Sequence, residues 1–145
     1  MKVISIVGAK NSGKTSLIVD LIAYLKKYGR VGSIKHAHEL DIDTSKDTER
    51  FFNAGADVAI GASGEKTLKI CGSKDLNELI ADMANSGVDF LLVEGFKGSD
   101  LPKIALNKNN FSNDEVSNII LSIDYKGTDK TLKEIAQLIR SLNDY

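Results

Sequence analysis

Eight consecutive residues near the start of the chain have the types and spacing of a phosphate-binding loop. Residues 8–15, Gly-Ala-Lys-Asn-Ser-Gly-Lys-Thr, fill every fixed position of the pattern G-x-x-x-x-G-K-S/T. In such a loop the backbone N–H groups and the positive end of the next helix surround an anion, the lysine reaches the β- and γ-phosphates, and the hydroxyl ligates Mg²⁺. The pattern therefore predicts a nucleoside triphosphate site. Its predicted ligands are Gly8, Asn11, Ser12, Gly13, Lys14, Thr15 and Ser16.

An acidic residue follows an apolar run that can hold it beside this loop. The run at residues 90–93, Phe-Leu-Leu-Val, predicts an interior strand buried on both faces, and Glu94 comes at its carboxyl end. A phosphate-binding loop needs a carboxylate to hold Mg²⁺ or its water molecules, so we predict Glu94 as a metal-binding and catalytic residue. Asp89 is the competing acid, but it lies at the opposite end of the strand, roughly 15 Å away. Gly95 would let the backbone turn close to the phosphates.

A second polar group follows another predicted strand. Lys35, His36 and His38 should lie at the same sheet edge as the phosphate-binding loop, and we predict that they bind phosphate or another anion. A metal site formed by the two histidines is the alternative, although no third ligand follows at a diagnostic spacing. Asp43, with Asp41, lies in the next loop and either contacts Mg²⁺ or its water molecules or is simply solvated.

Hydrophobic periodicity predicts the elements that position these residues. Strands alternate with helices, which predicts one doubly wound, mainly parallel α/β domain over residues 1–145, with ligands beyond the carboxyl ends of the strands. Strands are predicted at residues 2–7, 30–35, 57–62, 67–71, 90–93, 103–106 and 118–123, and helices at residues 16–28, 47–54, 75–86 and 131–142.

Composition limits the class of protein. A chain of 145 residues with 42% hydrophobic and 27% charged residues is typical of one soluble globular domain. Its net charge of −1 argues against nucleic acid as a partner, because nucleic-acid-binding surfaces are strongly basic. The single cysteine, Cys71, suits a reducing compartment. Neither a leader peptide nor a membrane-spanning apolar run is recognisable, so we expect a cytoplasmic protein.

Three segments together resemble the molybdopterin-guanine dinucleotide biosynthesis protein B family. They are residues 8–15, the Lys-His-Ala-His segment at 35–38, and Leu-Val-Glu-Gly-Phe-Lys at 92–97, which is followed by Leu-Pro-Lys-Ile at 101–104. Lys-Asp-Thr at 46–48 and Ala-Gly-Ala at 54–56 also resemble pieces of that family in the same order. The resemblance covers most of the chain. It departs at Glu39, where the family often has a further histidine, and in a shorter loop before Lys46.

The resemblance implies a GTP-binding accessory protein, related to the SIMIBI class of P-loop proteins, that acts with a molybdopterin guanylyltransferase. It implies weak GTP hydrolysis with Mg²⁺ and a homodimer, and leaves contact with molybdopterin open. By residue, it places Lys14 and Thr15 on the phosphates and Mg²⁺, and Glu94 near the metal or the attacking water. Lys35, His36 and His38 fall on the rim of the site, and Lys97 is included among the cofactor-binding residues.

Two other functions use the same loop. A small kinase would transfer the γ-phosphoryl group of ATP to a metabolite, but it needs basic lid residues, and arginine is scarce: Arg50 is the one easily placed candidate. A GTPase switch that delivers a metal or cofactor would have loops that order around the γ-phosphate, and residues 36–46 could form one. Binding of a guanylyltransferase would separate the adapter from the switch.

The base of the nucleotide is specified more weakly than its phosphates. Residues 107–110, Asn-Lys-Asn-Asn, resemble the guanine-binding pattern Asn-Lys-x-Asp, but Asn110 replaces the acid that accepts both guanine N–H groups. Asp124, after the last predicted strand, is another candidate guanine acceptor. The expectation of GTP therefore rests mainly on the resemblance, and ATP stays open.

Overall fold

A computed structural model describes residues 1–38, 46–107 and 116–145, which form two compact units. The larger contains residues 1–37 and 76–145, and the smaller contains residues 38–75. That the whole chain is one nucleotide-binding domain stays a prediction. The elements of the described residues follow in chain order: β1 (Lys2–Gly8), α1 (Lys14–Leu25), β2 (Val31–Lys35), α2 (Lys46–Asn53), β3 (Val58–Ala62), β4 (Thr67–Cys71), α3 (Leu76–Asn85), β5 (Phe90–Glu94), β6 (Lys103–Leu106), β7 (Ile119–Ile123) and α4 (Asp129–Ser141).

The larger unit is built on a five-stranded sheet in the order β2-β5-β1-β6-β7. Every neighbouring pair is parallel, so all the carboxyl ends lie at one edge. Glu94 of β5 pairs with Lys35 of β2 on one side and with Ile6 of β1 on the other, two residues before the phosphate-binding loop begins. The register thus brings the loop, Glu94 and Lys35 to the same sheet edge.

Helices cover both faces of this sheet, which confirms the predicted doubly wound α/β class. On one face the apolar sides of α1 and α4 pack on β1, β5 and β6, with Leu17, Leu21 and Ile139 fully buried. On the other face Ile80 of α3 packs against Leu91. Each such side chain contributes about 2 kcal/mol when its apolar surface leaves water. The predicted interior strand is confirmed, because β5 is buried from Phe90 to Val93.

The smaller unit combines the hairpin of β3 and β4 with α2. The two strands are antiparallel, with Ala59 paired to Ile70. The Ser63 hydroxyl fixes their turn by donating to the Lys66 carbonyl and accepting from the backbone N–H of Glu65. Both strands lie within the ranges predicted from the sequence, residues 57–62 and 67–71. Within the three described ranges, no helix is long and apolar enough to cross a membrane.

The first helix differs from its predicted bounds at both ends. It begins at Lys14 rather than Ser16, because Gly13 in the left-handed conformation (φ 89°) ends the loop directly before it. It ends at Leu25 rather than Tyr28, since the Tyr28 N–H bonds to the Leu25 carbonyl at 2.8 Å in a tighter turn. The earlier start places the first helical N–H groups within the phosphate-binding motif itself.

One side-chain hydrogen bond ties the segment after β7 to α1. The Tyr125 hydroxyl donates to Asp20 Oδ2 at 2.6 Å. Burial, together with this hydrogen bond and the charge of Asp20, raises the pKa of Tyr125 from 10.0 to about 12. A raised folded-state pKa means that the folded protein holds this proton more tightly than the unfolded chain does. The stabilisation is therefore complete below pH 10 and is lost as the pH rises toward 12.

We expect Tyr125→Phe to lower the free energy of unfolding by about 1–2 kcal/mol at pH 7, because Asp20 loses a donor. The difference from the unsubstituted protein should shrink between pH 10 and pH 12, as Tyr125 ionises. Urea unfolding at several pH values measures it. Tyr145→Phe, which removes an exposed hydroxyl bonded to Asn77, is the matched control and should show a smaller loss. A Tyr125→Phe difference that grows above pH 10 would contradict the assignment.

Candidate functional site

The phosphate-binding loop depends on three positions with unusual steric or backbone requirements. A Cβ atom on Gly8 would overlap the Ser12 hydroxyl, so only glycine lets the loop close this tightly. Gly13 and Asn11 both have positive φ, at 89° and 62°, a region that glycine and asparagine tolerate best. The sequence thus shapes a tight loop between β1 and α1 whose backbone N–H groups can converge on one ligand.

The first turn of α1 supplies the electrostatics of this loop. No side chain caps the amino terminus of the helix. The first helical N–H groups have no partners within the helix, and the helix dipole adds partial positive charge at this end. The Ser12 hydroxyl is also buried without a hydrogen-bond partner among the described residues. These donors suit an anion with several oxygens, such as a phosphate chain.

A cavity of roughly 420 Å³ opens beside the loop. Among the described residues, three lysines line it, Lys10, Lys14 and Lys35, against the single carboxylate of Glu94, so its field favours a multiply charged anion. Lys10 was not predicted as a site residue because it fills a variable position of the motif. Among the described residues, the lining is Lys10, Asn11, Ser12, Gly13, Lys14, Thr15, Ser16, Lys35 and Glu94.

Lys14 lies over its own loop. Its ammonium donates to the carbonyls of Gly8 and Ala9, at 3.2 and 2.6 Å. These two contacts hold a flexible side chain at the cavity wall, so less side-chain entropy remains to be lost when it pairs with a ligand. Phosphate oxygens would give this ammonium charged acceptors in place of neutral ones.

Thr15 and Glu94 form an acid–hydroxyl pair at the cavity. The Thr15 hydroxyl donates to Glu94 Oε2 at 3.1 Å. Mg²⁺ binds oxygens octahedrally at about 2.1 Å, so two adjacent ligands are about 3.0 Å apart. The two oxygens therefore have the spacing of neighbouring Mg²⁺ ligands. Within the described parts of the chain, no group of three or more His, Cys, Asp or Glu side chains could hold a metal ion, so phosphate oxygens and water would complete such a site.

The backbone around Glu94 is fixed from both sides. Its carbonyl accepts the His36 N–H at 2.9 Å. The next residue, Gly95, donates its N–H to the Ile6 carbonyl at 3.1 Å and accepts from the Ser5 hydroxyl at 2.7 Å. Since β1 and β2 both hold this turn, the Glu94 carboxylate is presented to the cavity by a rigid sheet edge.

The residues after Glu94 adopt a strained backbone that brings two rings together. Gly95 and Phe96 both have positive φ, at 95° and 52°, and a phenylalanine in this region costs about 1–2 kcal/mol. The Phe96 ring stacks on His36, with ring centroids 4.4 Å apart. A Cβ on Gly95 would lie 3.2 Å from the His36 Cβ, so glycine is needed for this approach. The stack forms an aromatic rim directly after Lys35.

A buried lysine braces the loop that follows this rim. Lys103 on β6 is fully buried, and its ammonium donates to the carbonyl of Leu101 at 3.0 Å and to that of Ser99. Burial lowers the pKa of Lys103, and the nearby charge of Asp100 opposes that change. Lys103 was not predicted to have a role, although a lysine directly before the apolar residues of a strand could have indicated a buried cation.

We expect Lys103→Met to lower the free energy of unfolding by about 2 kcal/mol. Methionine fills the volume but leaves the Ser99 and Leu101 carbonyls without their donor. The free energy lost there is larger than the desolvation cost that is saved because no ammonium is buried. Urea unfolding measures the loss. Lys69→Met, on an exposed position of β4, is the matched control and should change stability by less than about 0.5 kcal/mol. Equal stability of the two variants would show that Lys103 does not brace the loop.

The remaining predicted site residues fall in different places. His38 is exposed and belongs to the smaller unit, and Lys97 is exposed in the loop after Phe96. Asp124 follows β7 at the carboxyl edge of the sheet, where its carboxylate lies 3.7 Å from the Lys126 ammonium. Asp43, Asp41 and residues 108–110 lie outside the described residues. The structure therefore gathers the loop residues, Lys35 and Glu94 at one cavity, and the nucleotide-binding roles stay predictions.

Comparison with known proteins finds the same family along most of the chain. The family model described as molybdopterin guanine dinucleotide synthesis protein B matches residues 3–142. An Escherichia coli protein named as a molybdopterin-guanine dinucleotide biosynthesis adapter protein is 38% identical over 103 residues, which are 66% of this chain and 59% of that protein. A Methanocaldococcus jannaschii protein, provisionally named as such an adapter, is 34% identical over 121 residues, 79% of this chain and 50% of that protein. The chain spans 50% to 64% of the length of the curated relatives it matches.

Solved structures share the fold. The crystal structure of a MobB protein homolog from Bacillus stearothermophilus matches 98% of this chain and 100% of its own, with a TM-score of 0.72 and 22% identity. The structure of Bacillus subtilis MobB matches 94% of this chain and 97% of its own, with a TM-score of 0.71 and 22% identity. At this identity the likeness shows the architecture alone: a mainly parallel sheet with helices on both faces.

Proposed function

This chain belongs to the molybdopterin guanine dinucleotide synthesis protein B family, and from that premise we propose that it is a GTP-binding adapter in molybdopterin-guanine dinucleotide biosynthesis. The names of its relatives support the pathway and the adapter role. The observation that carries nucleotide binding is the cavity at the amino terminus of α1, where Lys14, Thr15 and Glu94 converge. The partner in this proposal is a molybdopterin guanylyltransferase, and the protein acts in the cytoplasm as a homodimer.

The cavity residues divide the work of holding a triphosphate. The loop N–H groups and the first turn of α1 surround the β-phosphate, while Lys14 turns from the Gly8 and Ala9 carbonyls toward the β- and γ-phosphate oxygens. Thr15 and Glu94 would hold Mg²⁺, which would neutralise charge on the phosphates. Lys10 and Lys35 add positive charge at the walls.

Slow hydrolysis follows from what this cavity supplies. Glu94 can orient a water molecule toward the γ-phosphate, but the described part of the chain places only lysines among the cationic residues lining the cavity. Arginine is the residue that typically stabilises the transferring phosphoryl group in fast NTPases. We therefore propose that the unaided chain hydrolyses bound GTP slowly, as suits an adapter.

Recognition of guanine is the finer part of the proposal. Asp124 lies after β7 at the sheet edge that carries the phosphate-binding loop, and a carboxylate there can accept two N–H groups of guanine at once. The Lys126 ammonium now beside the Asp124 carboxylate is exposed, so replacing this ion pair with hydrogen bonds to guanine costs little. Molybdopterin, with its phosphate, would be the other substrate of the guanylyltransferase. It would approach at the rim formed by His36 and Phe96, with Lys35 beside it.

Calorimetric titration with GTP and ATP, each with Mg²⁺, tests the nucleotide. We expect GTP to bind more tightly, and Asp124→Asn to reduce that preference while leaving ATP affinity unchanged. Lys126→Gln is the matched control, because it removes the neighbouring charge and keeps the carboxylate. Tighter binding of ATP would overturn the assignment to GTP.

Binding to purified molybdopterin guanylyltransferase tests the adapter role. We expect a complex in size-exclusion chromatography, and faster formation of the guanine dinucleotide when this chain is present. Absence of both would overturn the adapter role while leaving the nucleotide site untouched.

A further inference from the structure

We propose that a groove between α1 and α4 is the docking site for an acidic segment of the partner protein. This inference rests on the proposed adapter function, which supplies a protein partner. The groove has a volume of roughly 550 Å³ and is separate from the nucleotide cavity. We call it the tyrosine groove. It is lined by Tyr24, Tyr28, Lys133, Gln137, Arg140 and Ser141.

Two cations, Arg140 in the lining and Lys27 beside it, lie over the aromatic rings of this groove. The Lys27 ammonium lies 3.6 Å from the centroid of the Tyr24 ring and 5.1 Å from that of Tyr28. The Arg140 guanidinium lies 3.9 Å from the Tyr28 centroid. Such contacts are weak at exposed sites, about 0.5–1 kcal/mol each, but they fix the direction of long side chains. Lys27 and Arg140 are thus preorganised, which lowers the entropy lost when an anionic ligand binds.

Within the described residues, the positive charge of the groove has no counter-ion. Among residues 1–38, 46–107 and 116–145, no carboxylate pairs with Lys27, Lys133 or Arg140. The pKa of the Tyr28 phenol is also lowered, by a hydrogen bond with Tyr24 and by the charges of Lys27 and Arg140. A surface with this field favours carboxylates, although the chain as a whole carries a net charge of −1.

Helix stability alone does not account for this arrangement. Cations near the carboxyl end of a helix interact well with its dipole, and this covers Lys27 and Arg140. Lys133, however, lies in the first half of α4 (Asp129–Ser141), where the dipole gives it no such benefit. Nor does the dipole require Tyr28 to remain 42% exposed. Tyrosine and arginine together are typical of the residues that carry binding energy in protein interfaces.

The shape of the groove favours a polypeptide over a small anion. Lys133 and Arg140 are seven residues apart on α4, about 10 Å along the helix. An extended segment spans that distance in about three residues, so acidic side chains spaced by three could meet both cations. A single phosphate could contact only one of them and would leave the two tyrosine rings uncovered. The groove therefore fits an extended acidic segment that also carries apolar surface.

Its position leaves the nucleotide cavity free. Helix α1 starts at the phosphate-binding loop and carries Tyr24 near its other end, about 15 Å away. The tyrosine groove consequently lies toward the amino edge of the sheet, opposite the edge that holds Glu94. A partner can therefore bind in the tyrosine groove without covering the triphosphate site.

The test is the affinity of purified guanylyltransferase for a double variant, Lys133→Gln with Arg140→Gln. We expect at least a tenfold loss at 50 mM NaCl and a weaker salt dependence than that of the unsubstituted protein, because screened ion pairs have been removed. The matched control is Lys66→Gln with Lys69→Gln, which removes the same charge from the exposed hairpin and should change affinity less than twofold. GTP affinity should be the same in all three proteins, which shows that the fold is intact.

The outcomes separate this proposal from the one it rests on. If the transferase binds both double variants equally well, the groove is not its docking site and the adapter role stands. If the transferase does not bind the unsubstituted protein, the adapter role and the docking site fail together. In a second arm, hexaglutamate and inorganic phosphate are titrated while the Tyr24 and Tyr28 ring signals are followed by NMR. Saturable shifts with hexaglutamate support the proposal, and shifts with phosphate alone overturn it in favour of a small-anion site.

Discussion

Replacing Lys14 with alanine should weaken the binding of a nucleoside triphosphate by about 1,000-fold, or about 4 kcal/mol. The ammonium lies at the cavity wall on the carbonyls of Gly8 and Ala9, and a phosphate chain would replace these neutral acceptors with charged ones. Two charge-assisted hydrogen bonds of about 2 kcal/mol each account for the loss. Calorimetric titration with GTP and Mg²⁺ measures it directly.

Lys10→Ala is the matched control for this variant. Lys10 lines the same cavity but fills a variable position of the motif, so it should act mainly as an exposed charge and its loss should cost about tenfold or less. Both variants should unfold at nearly the same urea concentration as the unsubstituted protein, because water can replace Lys14 at the loop carbonyls. Equal affinities of the two variants would show that the phosphate-binding loop is not used as its pattern predicts.

Local sequence patterns were sufficient for most of the fold. Apolar runs identified β5 and β6, which are buried and carry almost no polar residues. The bounds of α1 were the main error, because backbone hydrogen bonds at Gly13 and Tyr28 set them, and propensity does not reveal those contacts. The order of the strands could not be predicted, because it depends on which apolar faces pack together over long distances in sequence.

The candidate site was predictable where a motif or a strand end determined it. Glu94, Thr15 and Lys35 meet because parallel strands end at one edge, and that rule needs only the order of elements. The contribution of Lys103 was missed because a buried lysine is recognised by the carbonyls around it, and these lie on a folded loop. The stack of Phe96 on His36 likewise depends on two positive φ angles that no local pattern specifies.

Replacing Glu94 with glutamine should leave GTP affinity within about threefold and lower the Mg²⁺-dependent rate of hydrolysis by about 100-fold. Glutamine keeps the size of the side chain and an oxygen that can accept from the Thr15 hydroxyl at 3.1 Å, so the loop is preserved. It loses the negative charge that holds Mg²⁺ and orients the attacking water. Because hydrolysis is slow, the rate is measured in single turnovers with protein in excess over radiolabelled GTP.

Asp89→Asn is the matched control, because it also removes a carboxylate from an end of β5. It distinguishes a role of Glu94 in hydrolysis from a general effect of losing such a carboxylate. Asp89 precedes the strand at its amino end, where its carboxylate accepts the Arg30 N–H at 2.7 Å, far from the cavity. Its substitution should cost some stability and leave the hydrolysis rate unchanged. Raising the Mg²⁺ concentration should partly restore the Glu94→Gln rate if the carboxylate mainly holds the metal, and should not restore it if the carboxylate mainly orients water. An unchanged rate in Glu94→Gln would remove Glu94 from the mechanism and leave Thr15 and water to hold Mg²⁺.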